Sequence, residues 1–297
     1  MMETAEISEP ELLKQTEKED YWTEIIQPKS KLFDLRLNEL WRYRDLVLMF
    51  VRRDIVSNYK QTILGPLWFF IQPLLTTLTF VLIFGKAAGL APSGVPMTIF
   101  YLAGVTIWSY FSEVLNKTAT VFKDNAQMFG KVYFPRLTMP FSIVLSNLLR
   151  FAIQFSLYLI IWAYFLVKKE VHPNIYLVLV PVLVCIMGIL ALGLGMIVSA
   201  MTTKYKDLIF LLTFGVQLLM YATPVIYPLS KVEGKPYEWV ILVNPMTSVV
   251  ETFRYGFMGS GTFRWTYLLY SFVATIIILL LGTIVFNKVE KSFTDTV

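Results

Sequence analysis

The residues that could carry out chemistry in this chain are few and lie far apart. The only histidine, His172, precedes Pro173 and has no cysteine or carboxylate cluster beside it, so it makes a poor metal or catalytic site. The sequence contains no GxxxxGK[ST] phosphate-binding loop and no GxSxG serine motif. Asp207 and Glu251 are isolated carboxylates. A membrane-bound transferase would need a convergent set of such groups, so the sequence disfavours an enzyme.

Two ionisable residues interrupt the long apolar runs, and such residues are costly in a membrane. Arg150 lies about three turns into one run, and Glu113 lies near the end of another. We expect Arg150 to snorkel to the interface or to form a hydrogen bond between helices. An ion-coupled carrier would need buried carboxylates and an internal repeat, and neither is visible. The energy for any transport must then come from another protein.

The composition is that of an integral membrane protein. Of the 297 residues, 56% are hydrophobic and only 16% are charged, and the mean hydropathy is +0.60. The net charge of +5 is better explained by cationic cytoplasmic loops than by nucleic-acid binding. Cys185 is the only cysteine, so no disulfide can form within the chain. The acidic N-terminus has no early hydrophobic core, so we do not expect a signal peptide.

Six apolar runs predict an all-α protein with six transmembrane helices, because each run is near the length of roughly 20 residues that crosses a bilayer. The predicted spans are residues 67–84, 97–115, 141–167, 175–201, 208–226 and 267–286. An even number puts both termini on one side, and the distribution of Lys and Arg among the loops makes that side cytoplasmic. We therefore divide the chain into an acidic cytoplasmic tail (1–37), an interfacial helix (38–64), a six-span domain (65–287) and a cytoplasmic tail (288–297).

The segment before the first span is predicted to be a basic amphipathic helix at the membrane interface. Its apolar positions fall roughly on one helical face, with several cations on the other. Packing against a soluble partner is the alternative. Gly65-Pro66 marks the point at which the chain enters the bilayer, since proline is tolerated in the first turn of a helix. The cations assigned to lipid headgroups are Arg42, Arg44, Arg52, Arg53 and Lys60.

Aromatic residues make up 15% of the chain, and several fall inside the predicted spans. Sugar rings present flat C–H faces that stack on aromatic rings, so these side chains could line a conduit for a glycan. Interfacial belts and ordinary packing are the alternative. The candidate channel-lining residues are Trp68, Phe69, Phe70, Tyr101, Trp108, Phe111, Phe214 and Tyr221.

Two connections between the spans have their own character. Residues 121–136 are polar enough to leave the membrane on the inner side and could hold one short helix before Gly130. Residues 227–265 are long and rich in proline and glycine, yet residues 249–258 remain half apolar. Bare loop backbone cannot face hydrocarbon, so this outer segment is predicted to form short re-entrant or interfacial helices.

Several of these segments together resemble the permease subunit of ABC-2 type exporters of O-antigen and teichoic-acid polysaccharides. The resemblance rests on RRDIVSNYKQTILGPLW, the QP of the first span, DNAQMFGKVYFPR, ILVNPMTSVVETFRYGFMG and the tail FNKVEKSFTDTV, in this order. It covers the chain from about residue 36 to its end. The acidic N-terminal tail has no place in it.

The resemblance implies a homodimer of this chain working with two copies of a separate ATPase in a bacterial inner membrane, with ATP and Mg²⁺ bound to that partner and no cofactor on this chain. A lipid-linked glycan would be the substrate, and the arginines of the interfacial helix would lie near its diphosphate. Residues 121–131 would be the coupling helix that docks on the ATPase. Its candidate contacts are Phe122, Lys123, Asp124, Asn125, Gln127 and Met128.

The resemblance also implies an outer gate built by a re-entrant hairpin. Asn244 and Pro245 would open the hairpin, and Glu251 and Arg254 would belong to the same gate. An ABC-2 exporter of a drug or small lipid is the nearest alternative, since the fold does not fix the substrate. A membrane-bound transferase is a more distant one.

Overall fold

The structure is a computed structural model, and it describes residues 37–60, 63–129, 134–205 and 207–294. These residues belong to one unit, Leu35–Val297, and form helices and connecting segments with no strand among them. The helices are α1 (Leu37–Arg42), α2 (Arg44–Tyr59), α3 (Trp68–Phe80), α4 (Met97–Ala119), α5 (Val121–Asp124), α6 (Ala126–Phe129), α7 (Thr138–Val167), α8 (Val180–Lys204), α9 (Leu208–Tyr221), α10 (Glu238–Val243), α11 (Pro245–Met258) and α12 (Trp265–Thr294). The predicted all-α class is confirmed for this part of the chain.

Residues 1–36 of the predicted acidic tail lie outside the described residues. Of the predicted C-terminal tail, residues 288–294 continue helix α12 and only residues 295–297 lie outside the described residues.

Five helical stretches are long and apolar enough to cross a membrane. They are Gly65–Ala87, Met97–Ala119, Thr138–Val167, Ile175–Lys204 and Trp265–Val289. The first combines a 3₁₀ turn, α3 and a closing π-helical turn, and the fourth begins with a 3₁₀ turn before α8. They correspond to five of the six predicted spans.

The predicted span at residues 208–226 contains a shorter helix. Helix α9 has 14 residues, which at 1.5 Å per residue is about 21 Å, less than the roughly 30 Å of a hydrocarbon core. After Tyr221 the chain continues as turns through Pro224, because proline cannot supply the N–H that a helix needs there. The structure thus contains five full-length candidates and one shorter apolar helix.

The predicted interfacial helix is divided in two. A turn at Tyr43 separates α1 from α2, and α2 ends at Tyr59. Val47, Phe50 and Val51 are buried, because this face of α2 packs against α7. Leu48 and Met49, by contrast, stay more than half exposed. Helix α2 therefore has an apolar face shared between the bundle and its surroundings.

Helix α4 lies at the centre of the bundle. It has the lowest mean hydropathy of the five long stretches, 1.2, yet 78% of its most apolar window is buried, against 11% for Gly65–Ala87. The burial of α4 is explained by the surrounding lipid, because strongly apolar helices can face lipid whereas polar side chains are better placed against other helices. Helix α4 packs mainly against α7 and α8.

Helices α8 and α12 cross at two glycines, Gly193 and Gly282. A Cβ atom added to Gly282 would lie 2.5 Å from the Gly193 carbonyl oxygen. Only residues without side chains allow the two backbones to approach this closely, as is common where membrane helices pack. The pair fixes the crossing point of these helices.

The two ends of α4 define the two ends of the bundle. We call the C-terminal end of α4, which residues 121–129 follow, the near end of the bundle. We call the N-terminal end of α4, where Arg254 of α11 contacts the Phe100 carbonyl, the far end. Helix α8 ends at the near end, where the Thr202 hydroxyl donates to the Ala119 carbonyl. Val225 lies at the far end, where Arg254 donates to its carbonyl. The chain between them, which includes α9, therefore runs the length of the bundle.

Candidate functional site

The near end carries a short helical segment suited to contact with another protein. Helices α5 and α6 follow α4 and are separated at Asn125, whose side-chain amide donates to the Val121 carbonyl at 3.0 Å. The Thr120 hydroxyl donates to the Asp124 carboxylate at 2.6 Å. These two hydrogen bonds fix the bend, since Asn and Asp side chains readily satisfy local backbone and hydroxyl groups. The single short helix predicted here is therefore a pair of helical turns.

The predicted coupling residues divide into an outward and an inward group. Lys123, Asp124 and Gln127 are exposed, whereas Asn125 and Met128 are half-buried. Phe122 is 1% exposed and points into the bundle. The polar residues are thus presented outward by a segment that Phe122 holds in place.

An aromatic cluster at the near end provides that attachment. The Phe122 ring stacks on Phe286 of α12 with centroids 4.6 Å apart, and it also contacts Phe129 at 5.8 Å. Phe129 contacts Phe134 at 5.5 Å, and Phe134 contacts Phe50 of α2 at 5.7 Å. Aromatic pairs at such distances add stabilisation beyond the burial of their area. One cluster therefore joins the coupling segment, the last helix and α2.

The predicted headgroup-binding cations are all exposed. Arg42, Arg44, Arg52, Arg53 and Lys60 lie on α1, on α2 and at the residue after it. Arg53 is paired with Asp54 at 2.8 Å and covers the Phe50 ring. Arg44 lies 4.0 Å from Asp45 and over the Trp41 ring. The cations are thus distributed along α1 and α2, and Arg53 contacts the aromatic cluster through Phe50.

Within the bundle, Arg150 forms a hydrogen bond between helices. Its Nη1 donates to Glu113 Oε2 at 3.2 Å, joining α7 to α4. Lys117 Nζ lies 3.3 Å from the same oxygen and donates to Asn147 Oδ1 at 3.4 Å. Of the two alternatives that the sequence left for Arg150, the hydrogen bond between helices is the one observed.

At the far end, two predicted gate residues hold the turn that follows α9. The Asn244 amide donates to Thr223 Oγ1 at 2.7 Å and to the Ala222 carbonyl at 3.3 Å, while its oxygen caps α11 by accepting the Met246 N–H. Pro245 occupies the first helical position, where its missing N–H costs nothing. The Asn-Pro pair therefore starts α11, and Asn244 also binds the turn that follows α9.

Arg254 is the most thoroughly buried charge in the described part of the chain, with 1% of its side chain exposed. Its guanidinium donates to the Pro224 carbonyl and, at 2.6 Å, to that of Val225. It also stacks on the Phe100 ring, 3.6 Å from the centroid. A guanidinium suits this position because its donors lie in one plane and its face stacks on an aromatic ring. We call Asn244, Arg254 and the turn they hold the far-end clamp.

Glu251 completes the charge balance of the far-end clamp. Its Oε1 lies 3.8 Å from Arg254 Nη1, and its Oε2 accepts the Thr262 N–H at 3.3 Å. Burial raises the pKa of Glu251 above its ordinary value of 4.5, although the nearby Arg254 opposes the shift. Burial likewise lowers the pKa of Arg254 to about 10. A pKa of about 10 keeps Arg254 cationic near neutral pH.

Sequence reasoning missed the residue that makes room for Arg254. A Cβ atom on Gly104 of α4 would lie 2.7 Å from Arg254 Nη2 and 2.7 Å from the Val225 carbonyl oxygen. It also missed Trp162 and Asn174, which donate to the Phe257 and Tyr255 carbonyls at the end of α11. No local pattern marks these residues, because their partners are distant in the chain.

The predicted channel-lining aromatics occupy different environments. Tyr101, Trp108 and Phe111 of α4 belong to the buried core of this chain. Phe69 and Phe70 are half-buried, and the guanidinium of Arg150 lies 5.3 Å from the Phe69 ring. The remaining three, Trp68, Phe214 and Tyr221, are about half exposed on the apolar surface. The structure does not gather the eight into one surface, and a role in lining a path stays a prediction for each.

The described residues thus form a bundle of apolar helices with a polar segment fastened at one end and a capped helix at the other, and comparison with known proteins identifies the family. A family described as ABC-2 type transporter matches residues 45–258. This chain belongs to the ABC-2 type transporter family.

Three relatives of this chain are named for the export of O-antigen or capsule polysaccharide. The chain is 30% identical over 219 residues to the O-antigen export system permease protein RfbA of Myxococcus xanthus, covering 73% of this chain and 82% of the relative. It is 27% identical over 252 residues to RfbA of Klebsiella pneumoniae, with 84% and 94% covered. It is 24% identical over 253 residues to the capsule polysaccharide export inner-membrane protein CtrC of Neisseria meningitidis serogroup A, with 80% and 89% covered.

Proposed function

We propose that this chain is the membrane subunit of an ATP-driven exporter that moves a lipid-linked polysaccharide across a bacterial inner membrane. An O-antigen, a teichoic acid or a capsule-like glycan would be its substrate. The proposal rests above all on the similarity to permeases named for O-antigen and capsule polysaccharide export, over most of both chains. The sequence has no P-loop, so ATP and Mg²⁺ are assigned to a separate ATPase.

The near end is the proposed docking site for that ATPase. Lys123, Asp124 and Gln127 are exposed there on a segment that Phe122 anchors to α12. An anchored polar segment can transmit force, because a displacement of its outer face moves the buried aromatic ring with it. Two copies of this chain and two of the ATPase would form the working assembly.

We propose that α9 is the sixth membrane crossing. The chain between Tyr205 and Val225 runs from the near end to the far end. Helix α9 within it is apolar apart from the side chains of Thr213 and Gln217. Six crossings put both termini on one side, which is cytoplasmic if the near end meets the ATPase. Helices α10 and α11 would then form the hairpin that closes the outer mouth, with Glu251 and Arg254 within it.

In this scheme the basic surface of α1 and α2 would lie at the inner membrane surface. Arg42, Arg44, Arg52 and Lys60 would be near anionic headgroups and near the diphosphate of the lipid-linked substrate, since Arg pairs well with phosphate oxygens. Arg53 is partly neutralised by Asp54. The exposed aromatics would contribute stacking surfaces for sugar rings along the path.

Deletion of the chain from its host tests the proposal, with the surface glycan and the membrane-bound glycan precursor both measured. We expect the surface glycan to disappear and the lipid-linked precursor to accumulate. A tagged copy that restores the surface glycan should also co-purify with an ABC-type ATPase in mild detergent. Unchanged surface glycan would overturn the substrate class and favour export of a drug or small lipid, whereas purification without an ATPase in several detergents would overturn the motor.

Charge reversal at the near end tests the docking site. Lys123→Glu should reduce co-purification of the ATPase, because like charges across an interface cost several-fold in association rate and affinity. Lys235→Glu is the matched control, since Lys235 is equally exposed but lies in the segment leading to α10. Both variants should keep their thermal stability. Equal ATPase recovery from the two would place the docking site elsewhere.

A further inference from the structure

A polar cavity of about 110 Å³ lies among α3, α4 and α7 and opens at the surface of the bundle, since Gln72 is exposed and the Glu113 side chain is 44% exposed. Eight of its ten lining residues have polar side chains, and Arg150, Glu113 and Gln154 are among them. Such a volume accommodates several waters, and an apolar surrounding makes so many polar groups costly unless they have partners. The cavity is therefore a feature that packing alone does not explain.

The charges in this cavity form a fixed group. Glu113 Oε2 accepts from Arg150 Nη1 at 3.2 Å and lies 3.3 Å from Lys117 Nζ. Glu113 Oε2 thus lies between two cations, and this pairing uses neither Glu113 Oε1 nor the other Arg150 donors. A fixed guanidinium and a fixed carboxylate side by side offer both donors and acceptors to a bound molecule.

Two glutamines add further donors and acceptors. Gln72 reaches the cavity from α3 and Gln154 from α7. Neither side-chain amide hydrogen-bonds to another residue in the part of the chain that the structure describes. The hydroxyl of Ser109 lines the same space. Each amide can donate two hydrogen bonds and accept two, so the lining has considerable unused capacity.

An aromatic ring closes one side of the cavity. Phe69 of α3 lines it, and the Arg150 guanidinium lies 5.3 Å from the ring centroid. The ring adds apolar surface to a lining that otherwise consists mostly of polar groups.

This combination selects among classes of ligand. A lipid tail would leave the polar groups unpaired, and a simple anion would use the cations but leave the acceptors of Glu113 and the two glutamines unused. Sugar hydroxyls both donate and accept, and a sugar ring also has an apolar C–H face. We propose that this cavity, which we call the α3–α4–α7 cavity, is a binding subsite for one sugar unit of the glycan. This inference rests on the proposed function and adds a location and a set of contacts to it.

The depth of the α3–α4–α7 cavity indicates when the contact occurs. Glu113 lies six residues before the end of α4 at Ala119, which corresponds to about 9 Å from the near end. A sugar unit would therefore be bound in the half of the bundle on the proposed ATPase side. It would be met before the glycan reaches the far-end clamp.

Site-specific photo-crosslinking tests this subsite in living host cells. The photoreactive residue p-benzoylphenylalanine would replace Gln72, which is exposed toward the cavity and tolerates a larger side chain, or Phe69, which it resembles in shape. Ile160 of α7 is the control, because it is 68% exposed and lies outside the cavity. Each variant is first shown to reach the membrane at the wild-type level and to melt at the wild-type temperature in detergent, which establishes folding without requiring the substituted residue to support export.

We expect irradiation to attach glycan to the chain at Gln72 and Phe69, detected with a glycan-specific antibody, and not at Ile160. The signal should vanish in cells that cannot synthesise the glycan. Gln154→Leu should lower it roughly fivefold, as the loss of one hydrogen bond predicts. Cross-links to phospholipid alone, or equal glycan labelling at Ile160, would overturn the subsite while export remained intact. A deletion strain with normal surface glycan would instead overturn the proposed function.

Discussion

Replacement of Arg254 by methionine should strongly destabilise the far-end clamp, because this buried side chain supplies most of the clamp's contacts. Methionine fills similar space but donates no hydrogen bond. The carbonyls of Pro224 and Val225 would lose their donor, and the Phe100 ring would lose a stacked cation 3.6 Å from its centroid.

The size of the effect follows from these lost contacts. An unsatisfied buried carbonyl costs about 1–3 kcal/mol, and a desolvated cation–π contact is worth about 2 kcal/mol. Glu251 would add little, because a buried carboxylate left without its cation takes up a proton instead. Such terms are not additive, so we expect a total of about 4 kcal/mol, at the upper end of single substitutions.

Unfolding in detergent, followed by circular dichroism during an SDS titration, measures this loss. Arg264→Met is the matched control: Arg264 is exposed and contacts only the Tyr267 side chain among the described residues. We expect a change within about 0.5 kcal/mol for the control. If Arg254→Met were no more destabilising than Arg264→Met, the far-end clamp would not contribute to stability as argued.

Three further predictions concern stability. Burial raises the pKa of Glu251, so the native state keeps the proton of this carboxyl to higher pH than the unfolded chain does. The free energy of unfolding of the wild type should therefore fall as the pH rises above about 4.5. Glu251→Gln should flatten this dependence in unfolding titrations carried out above that pH. Gly282→Leu should lower the melting temperature in detergent by overpacking worth at least about 1–3 kcal/mol, whereas Gly215→Leu, with open space around it, should not; equal melting temperatures would contradict the close helix crossing. Phe122→Ala should cost about 3–5 kcal/mol, because it removes a buried ring that packs on Phe286 and leaves a cavity. If the variant melted like the wild type and lost only ATPase binding, Phe122 would be a contact residue and not an anchor.

Hydropathy, together with the residues that favour helix ends, was sufficient to predict most of the membrane-spanning helices. Long apolar runs can only be helices in a bilayer, so the five long stretches follow from the sequence with small changes at their ends. The Asn244-Pro245 start of α11 was predictable for the same kind of reason, since both residue types favour a helix N-terminus. His172, expected at an exposed turn, is exposed.

The parts that the sequence could not predict depend on contacts between distant residues. The stacking of Phe122 on Phe286 and the space that Gly104 leaves for Arg254 join residues more than a hundred positions apart. Hydropathy also counts residues 222–226 as part of an apolar span, although Pro224 and the hydrogen bonds from Asn244 and Arg254 make them a turn. Periodicity likewise joined α1 to α2, because it is insensitive to the single turn at Tyr43.

Helix α12 has a mechanical property that follows from where it is touched. Ser271 donates to the Pro245 carbonyl at the start of α11, and 15 residues later Phe286 stacks on Phe122 of the coupling segment. These contacts are about 22 Å apart along one uninterrupted helix. A helix resists bending over this distance, so the contact at Ser271 and the contact at Phe286 cannot move independently of each other. Any tilt or rotation of α12 that moves Phe286 relative to Phe122 at the near end must also move Ser271 relative to the start of α11 at the far end.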